Sequence, residues 1–259
     1  MHVLVLGGVA EARDLAGRLA EAPGRAVTLS LAGRTQAPRL PRGCAVRIGG
    51  FGGAEGLARW IAAEGVAALV DATHPFARRI SAHAEAAAAA TGTPLVVLER
   101  SPWTEVPGDR WIRVPDMAAA SAALAVLLGD GQGARPGPVL LAIGRQELAA
   151  FRAVPELNCL VRSVEPPDPA DLPPAAETLL ARGPFDAAAE RALLTARGIV
   201  AVVAKNSGGA ATYGKIAAAR ALGLPVILVD RPARPDAAAT VDEALARLDR
   251  LRPPERRQA

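Results

Sequence analysis

Short apolar runs alternate along the chain with stretches whose apolar residues recur at helical spacing. Runs at 2–6, 27–31, 45–48, 66–70 and 95–98 predict strands, and the stretches at 10–22, 54–64 and 77–91 predict helices between them. In the first of these helices Leu15, Leu19 and Ala22 fall at helical spacing. The segment 101–110 carries Pro102, Pro107 and Gly108 without periodicity, and after it the same grammar restarts. Strands are predicted at 111–114, 139–143, 159–161, 178–181, 199–203 and 226–229, with helices at 117–128, 187–196, 210–222 and 241–251. The strand runs are continuously apolar, as strands of a parallel sheet covered by helices on both faces must be. The pattern implies an α/β fold in two domains, 1–107 and 108–259. Stretches 129–138 and 165–174 read as loops inside the second domain, and 252–259 as a frayed tail.

Composition narrows the possibilities. A chain of 259 residues can bury two cores without a covalent staple. Cys44 and Cys159 are far apart and form no CxxC pair, which fits a reducing compartment and small core residues. The first residues form a short strand followed by glycines, not a basic region leading into an apolar leader. Apolar runs break at charges or glycine before reaching membrane-spanning length, so a cytoplasmic protein without membrane association is expected. The sequence pI of about 9.8 accompanies a net charge of only +4, and the arginines are scattered rather than blocked. Aromatics make up 3% of the chain, too few for a base-stacking platform, so nucleic acid is not an expected partner. Scattered arginines instead suit an acidic small molecule.

Ligands of open α/β sheets lie outside the carboxyl ends of the strands, and the polar and glycine motifs of this chain gather there. Gly7-Gly8 follow the first strand and let a phosphate approach the start of the next helix, with Glu11 in its first turn. The turn is not the GxGxxG fingerprint. Arg34 and Thr35 follow the second strand, where an acid would hold the ribose of NAD and an arginine the 2′-phosphate of NADP. The segment 31–35 contains no acid, which favours NADPH. Asp71-Ala72-Thr73-His74-Pro75-Phe76 follows a later strand; Thr73 suits a cap or a cofactor contact, and His74 a proton donor. In the second half, Lys205-Asn206-Ser207-Gly208-Gly209 places a cation, an amide, a hydroxyl and two glycines between strand and helix. That turn can hold a carboxylate, a phosphate or a nicotinamide amide. Lys205 and Lys215 are the only lysines, and both fall in this region. Tyr213 and Lys215 stand two apart and do not share a helix face, so they are not the Tyr-x-x-x-Lys pair of short-chain dehydrogenases. Three widely spaced histidines give no metal-ligand pattern.

Taken together these motifs resemble those of the precorrin-6A reductases, including the cobalt-precorrin-6A reductases. The resemblance runs through Gly7–Arg13, Asp71–Ala77, Ala181–Phe185, Lys205–Gly209, Tyr213–Lys215 and Val229–Pro232, nearly the whole chain. The family's first turn usually carries threonine where this chain has Val9. The resemblance implies two Rossmann-like domains with parallel sheets flanked by helices and an active site in the interdomain cleft. It implies NADPH-dependent reduction of one ring carbon–carbon double bond of precorrin-6A to precorrin-6B (dihydro-precorrin-6A), in cobalamin biosynthesis. On this reading Gly7, Gly8, Glu11, Arg34, Thr35, Thr73, Ser207, Gly208 and Gly209 meet the cofactor. Arg145, Arg182, Asn206 and Lys215 meet the acidic tetrapyrrole, and His74, Lys205 and Tyr213 are the proton donors to be distinguished. The alternatives are a uroporphyrinogen-synthase-like lyase, which would leave Gly7-Gly8 and Arg34 without a purpose, and a non-catalytic bilobal binding protein.

Overall fold

The structure, a computed structural model, describes residues 1–33, 40–129, 137–154 and 156–251. The chain forms two compact units. The first begins with β1 (His2–Leu6), α1 (Ala10–Glu21), β2 (Ala26–Leu31), β3 (Ala45–Ile48), α2 (Ala54–Ala63), β4 (Ala68–Asp71), α3 (Arg78–Thr91) and β5 (Leu95–Val97). The second, Pro102–Pro232, holds β6 (Trp111–Val114), α4 (Met117–Leu128), β7 (Val139–Ala142), β8 (Asn158–Ser163), β9 (Ala175–Leu180), α5 (Ala187–Ala196), β10 (Ala201–Lys205), α6 (Gly214–Ala221) and β11 (Val226–Val229). From Ala233 the chain returns to the first unit and completes it with α7 (Val241–Arg250).

Both sheets are wholly parallel. The first has the order β3-β2-β1-β4-β5, with Leu6 paired to Ser30 on one side and Asp71 on the other. The second has the order β6-β11-β10-β7-β8-β9. Each order reverses direction once beside a central strand, between β1 and β4 in the first unit and between β7 and β10 in the second. These reversals open a crevice at the carboxyl ends, where ligands of such sheets bind.

β1 shows why the apolar runs are continuous. Val3 and Val5 join a core with Leu15, Leu19, Val27, Leu29, Val70 and Leu248, whereas Leu4 and Leu6 join Leu57, Ile61, Leu69, Ala84 and Ala87 on the opposite face. Each fully buried Leu or Val of this kind contributes about 1.5–3 kcal/mol. In the second unit Leu140, Leu160, Val202, Ala204 and Leu228 pack beneath α5 and α6 through Leu194 and Ile216. Helix starts are set by side-chain caps at Asp116, Asp186 and Thr240, each accepting a backbone N–H of the first turn.

The unit boundaries depart from the expected division at 107/108. The chain passes to the second unit at Ser101/Pro102, and the segment from Ala233, expected in the second domain, belongs to the first. Ala244 and Leu248 of α7 fill the core beside α1, Arg18 pairs with Asp242 at 2.6 Å, and Ala238 hydrogen-bonds along β5 through the Val97 carbonyl at 2.8 Å. An apolar helix stripe shows that a face is buried but not against which sheet. The helix expected at 210–222 begins only at Gly214, because Gly208 and Gly209 take left-handed φ and residues 210–213 form a turn. A short 3-10 helix at Leu148–Ala153, buried through Leu148 and Phe151, was not anticipated.

Candidate functional site

In the first unit the switch point is built by the turns after β1 and β4. Gly7 closes the β1 end with its N–H bonded to the Ser30 carbonyl at 2.8 Å. A Cβ at Gly7 would lie 2.7 Å from Leu29 Cδ1, so any side chain there must displace that leucine. Gly8 has φ +153°, and a Cβ there would meet nothing within 4 Å. Val9 stands at the cap position of α1 and has no side-chain acceptor to occupy the first-turn N–H groups. Glu11 is engaged by Arg100 at 2.8 Å, with both side chains largely buried. Val9, Glu11, Thr73, Pro75, Leu98 and Arg100 line a small crevice at the carboxyl ends of β1, β4 and β5.

The β4 turn is held from below. Asp71 is 3% exposed, and its Oδ1 accepts from the Thr73 hydroxyl at 2.7 Å and the Thr73 N–H at 3.2 Å. Its Oδ2 pairs with Arg234 at 3.2 Å, and Arg234 reaches Glu85 at 2.8 Å. Thr73 therefore spends its hydroxyl on Asp71 and serves the turn. His74, half-buried, accepts the Phe76 N–H on Nδ1 at 3.3 Å. With Nδ1 accepting, the neutral ring carries its proton on Nε2. Arg34 and Thr35 lie outside the described residues.

In the second unit the switch point joins the turns after β7 and β10. Lys205 ends β10 and pairs with Glu147, beyond the β7 end; the lysine side chain is 15% exposed. Ser207 is buried and Gly208 and Gly209 follow with left-handed φ of 67° and 75°. Arg145 lies at the β7 end and donates to the Pro166 carbonyl at 3.2 Å, and Arg182 is exposed beyond β9. The loop after Arg182 is pressed onto the start of α6: Phe185 N–H donates to the Ala211 carbonyl at 2.9 Å. A Cβ at Gly214 would come within 2.4 Å of the Phe185 carbonyl oxygen.

Asn206, Lys215 and Tyr213, expected at the site, also have partners within their own unit. Asn206 is 1% exposed, and its amide is engaged by the Trp103 backbone and Asp230. Lys215 is 4% exposed, donates to the Thr212 carbonyl at 2.6 Å, and lies 4.7 Å from the centroid of the Trp103 ring. Tyr213, at the start of α6, accepts a hydrogen bond from Arg220 on its hydroxyl. Asp109 also binds Arg220, at 2.8 Å, and that hydrogen bond holds the guanidinium pKa above its usual value. The residue missed in the sequence is Trp103. Its only signal was that one of the chain's three tryptophans falls inside the segment read as the boundary between domains.

Among the described residues no group of three His, Cys, Asp or Glu side chains is arranged to hold a metal ion, and no helix is long and apolar enough to cross a membrane.

Two doubly wound parallel sheets, the first with a glycine turn and an uncapped helix start at its switch point, place the chain among the two-unit Rossmann-type α/β proteins. Within that class it belongs to the precorrin-6x reductase CbiJ/CobK family, whose model matches residues 2–249. It is 51% identical over 249 residues to a precorrin-6A reductase of Sinorhizobium, covering 95% of this chain and 92% of that one. The precorrin-6A reductase of Mycobacterium tuberculosis is 45% identical, with 93% of each chain covered. The cobalt-precorrin-6A reductase of Methanothermobacter thermautotrophicus is 32% identical, with 90% and 77% covered. A solved CobK precorrin-6A reductase superposes with a TM-score of 0.86 at 47% identity over 96% of both chains.

Proposed function

We propose that this reductase uses NADPH to reduce one ring carbon–carbon double bond of metal-free precorrin-6A, giving precorrin-6B. The observation that carries the reading is the near-full-length match, at 45–51% identity, to relatives bearing the precorrin-6A reductase name. Relatives named for the cobalt-containing substrate stand lower, at 30–32%, which supports the metal-free form.

A nicotinamide nucleotide supplies the hydride when bound. The β1 turn fits its pyrophosphate: neither Gly7 nor Gly8 carries a Cβ, the space above Gly8 is open, and Val9 does not compete for the α1 N–H groups. Glu11 acts by holding Arg100 at the crevice rim, where the guanidinium offsets phosphate charge. The segment after β2 offers no carboxylate to a ribose 2′-hydroxyl, and Arg34 with Thr35 suits a 2′-phosphate, hence NADPH. Ser207, Gly208 and Gly209 offer backbone groups and a hydroxyl to the nicotinamide end. Arg145 and Arg182 bind tetrapyrrole carboxylates, and Lys205 exchanges Glu147 for one of them. His74, whose Nδ1 accepts from Phe76 and leaves the ring proton on Nε2, is our candidate to protonate the carbon next to the one reduced.

Calorimetric titration with NADPH and, separately, NADH tests the nucleotide assignment, and single-turnover reduction of precorrin-6A tests the reaction. Tight NADPH binding with much weaker NADH binding is expected. Failure of both nucleotides to bind, with tetrapyrrole present, overturns the reading.

A further inference from the structure

Asn206 and Trp103 form a clamp on the β10 turn. The Asn206 Oδ1 accepts the Trp103 N–H at 2.8 Å while its Nδ2 donates to the Trp103 carbonyl at 3.2 Å. Two opposed bonds to one residue reproduce, from a side chain, the pairing that a neighbouring strand would provide. Nδ2 also approaches Asp230 Oδ1 at 3.4 Å, so every polar atom of this buried amide has a partner. At the far end of the turn the Trp103 indole N–H donates to the Gly209 carbonyl at 2.8 Å. One residue therefore ties both ends of the Asn206–Gly209 turn.

The turn needs such a tie. Gly208 and Gly209 are consecutive left-handed glycines, and an untethered glycine pair has many conformations of similar energy. Tryptophan is suited to the task because its indole is a donor only, fixed on a rigid ring. That ring is anchored in turn, 5.8 Å from the Tyr213 ring and beside the Lys215 ammonium. Phenylalanine would keep the packing and lose the tie.

We propose that Trp103, acting through Asn206 and Gly209, is the positioning residue of the β10 turn, holding Lys205 and the Ser207–Gly209 backbone in the one conformation the reaction uses. The proposal rests on the assignment of that turn to the reductase site. Loss of one ordinary hydrogen bond corresponds to roughly a five- to tenfold effect.

The test compares Trp103→Phe and Asn206→Ala in the full-length protein by thermal unfolding, NADPH titration and steady-state reduction of precorrin-6A. Trp103→Phe is expected to unfold within a few degrees of the parent and to keep most of its NADPH affinity, because the pyrophosphate turn after β1 is untouched and only the nicotinamide contact at the β10 turn is loosened. Its kcat/KM for the tetrapyrrole is expected to fall roughly tenfold, and that of Asn206→Ala further. A fall carried by KM means that the turn holds substrate, one carried by kcat that it sets the transfer geometry, and either supports the proposal. Parental kcat and KM in Trp103→Phe overturn it. So does a loss of NADPH affinity and activity together, in step with lost thermal stability, which is the mark of a structural role alone. If Asn206→Ala does not fold, Trp103→Phe decides. Absence of turnover in the parent protein is a separate failure, of the functional reading itself, and is visible before any variant is made.

Discussion

Replacing Gly7 by alanine would put a methyl carbon 2.7 Å from Leu29 Cδ1 and 3.2 Å from Leu31 Cδ2. Both are ends of flexible side chains, so the leucines move rather than the backbone. Leu29 is fully buried, however, and its displacement is overpacking of the sheet–α1 core at a cost of about 1–3 kcal/mol. That corresponds to a fall of several degrees in Tm. The added methyl meets the sheet and not the ligand edge, so NADPH affinity should stay near the parent value. Gly8→Ala is the converse perturbation. No atom lies within 4 Å of its new methyl, but φ of +153° is strained for any residue with a Cβ, by about 1–3 kcal/mol. The turn relieves the strain by moving, and the methyl occupies the space through which a phosphate approaches. Loss of one charge-assisted hydrogen bond, about 1.5–3 kcal/mol, weakens NADPH roughly ten- to a hundredfold. Chemical unfolding and calorimetric titration of both variants separate the effects. If Gly8→Ala binds NADPH like the parent, the β1 turn is not the phosphate cradle. If Gly7→Ala loses affinity without losing stability, contact with Leu29 is not what demands glycine there.

Arg162 and Glu190 form a buried ion pair at 2.5 Å, with the guanidinium 4.1 Å from the Phe185 ring centroid. Arg162→Met alone should cost about 3–5 kcal/mol by stranding Glu190, whereas Arg162→Met with Glu190→Leu should recover most of that; additive losses in guanidinium unfolding would refute the pairing. His74→Phe is expected to slow single-turnover reduction about a hundredfold, while Tyr213→Phe leaves the rate near the parent value and lowers Tm by removing an acceptor from Arg220. Burial pushes the Cys159 thiol up to about 12 and also raises Cys44. In the folded state Cys159 keeps its proton where the unfolded chain gives it up, so its contribution to stability is full below about pH 8.5 and is lost as pH rises towards 12. Wild-type stability should therefore fall more steeply above pH 9 than that of Cys159→Ala, and thiol reagents near pH 8 should reach Cys159 only after unfolding; equal pH slopes would count against the burial account.

The sequence was most legible where one local rule decides. β1, β3, β6, β11, α4 and α5 fall on their expected bounds because an apolar run or a capped helix start defines them. Asp116 before α4 and Gly129 after it are local signals that owe nothing to the rest of the chain. Long-range choices were not legible. α7 carries an apolar stripe that would serve either sheet, and only its packing on α1 assigns it. At the site, the turns were found because strand ends are where polar residues and glycines must gather. The use made of each polar residue was not, since Asn206 and Lys215 read as ligand groups while folding turns them inward against Trp103. An amide or an ammonium has the same sequence signature whether its partner is a substrate or a tryptophan.

The return of the chain to its first unit at Ala233 has a consequence for biosynthesis. Synthesis starts with β1 and α1, yet the helix that covers Leu15 and Leu19 comes off the ribosome after the whole of the second unit. At 5–20 residues per second, the intervening stretch occupies the ribosome for roughly ten seconds. Through that interval the first unit presents an apolar groove with no cover, while the contiguous second unit can close as it emerges. The unit begun first is finished last, and the nascent chain is most exposed to aggregation or chaperone capture in the span before residue 241 appears.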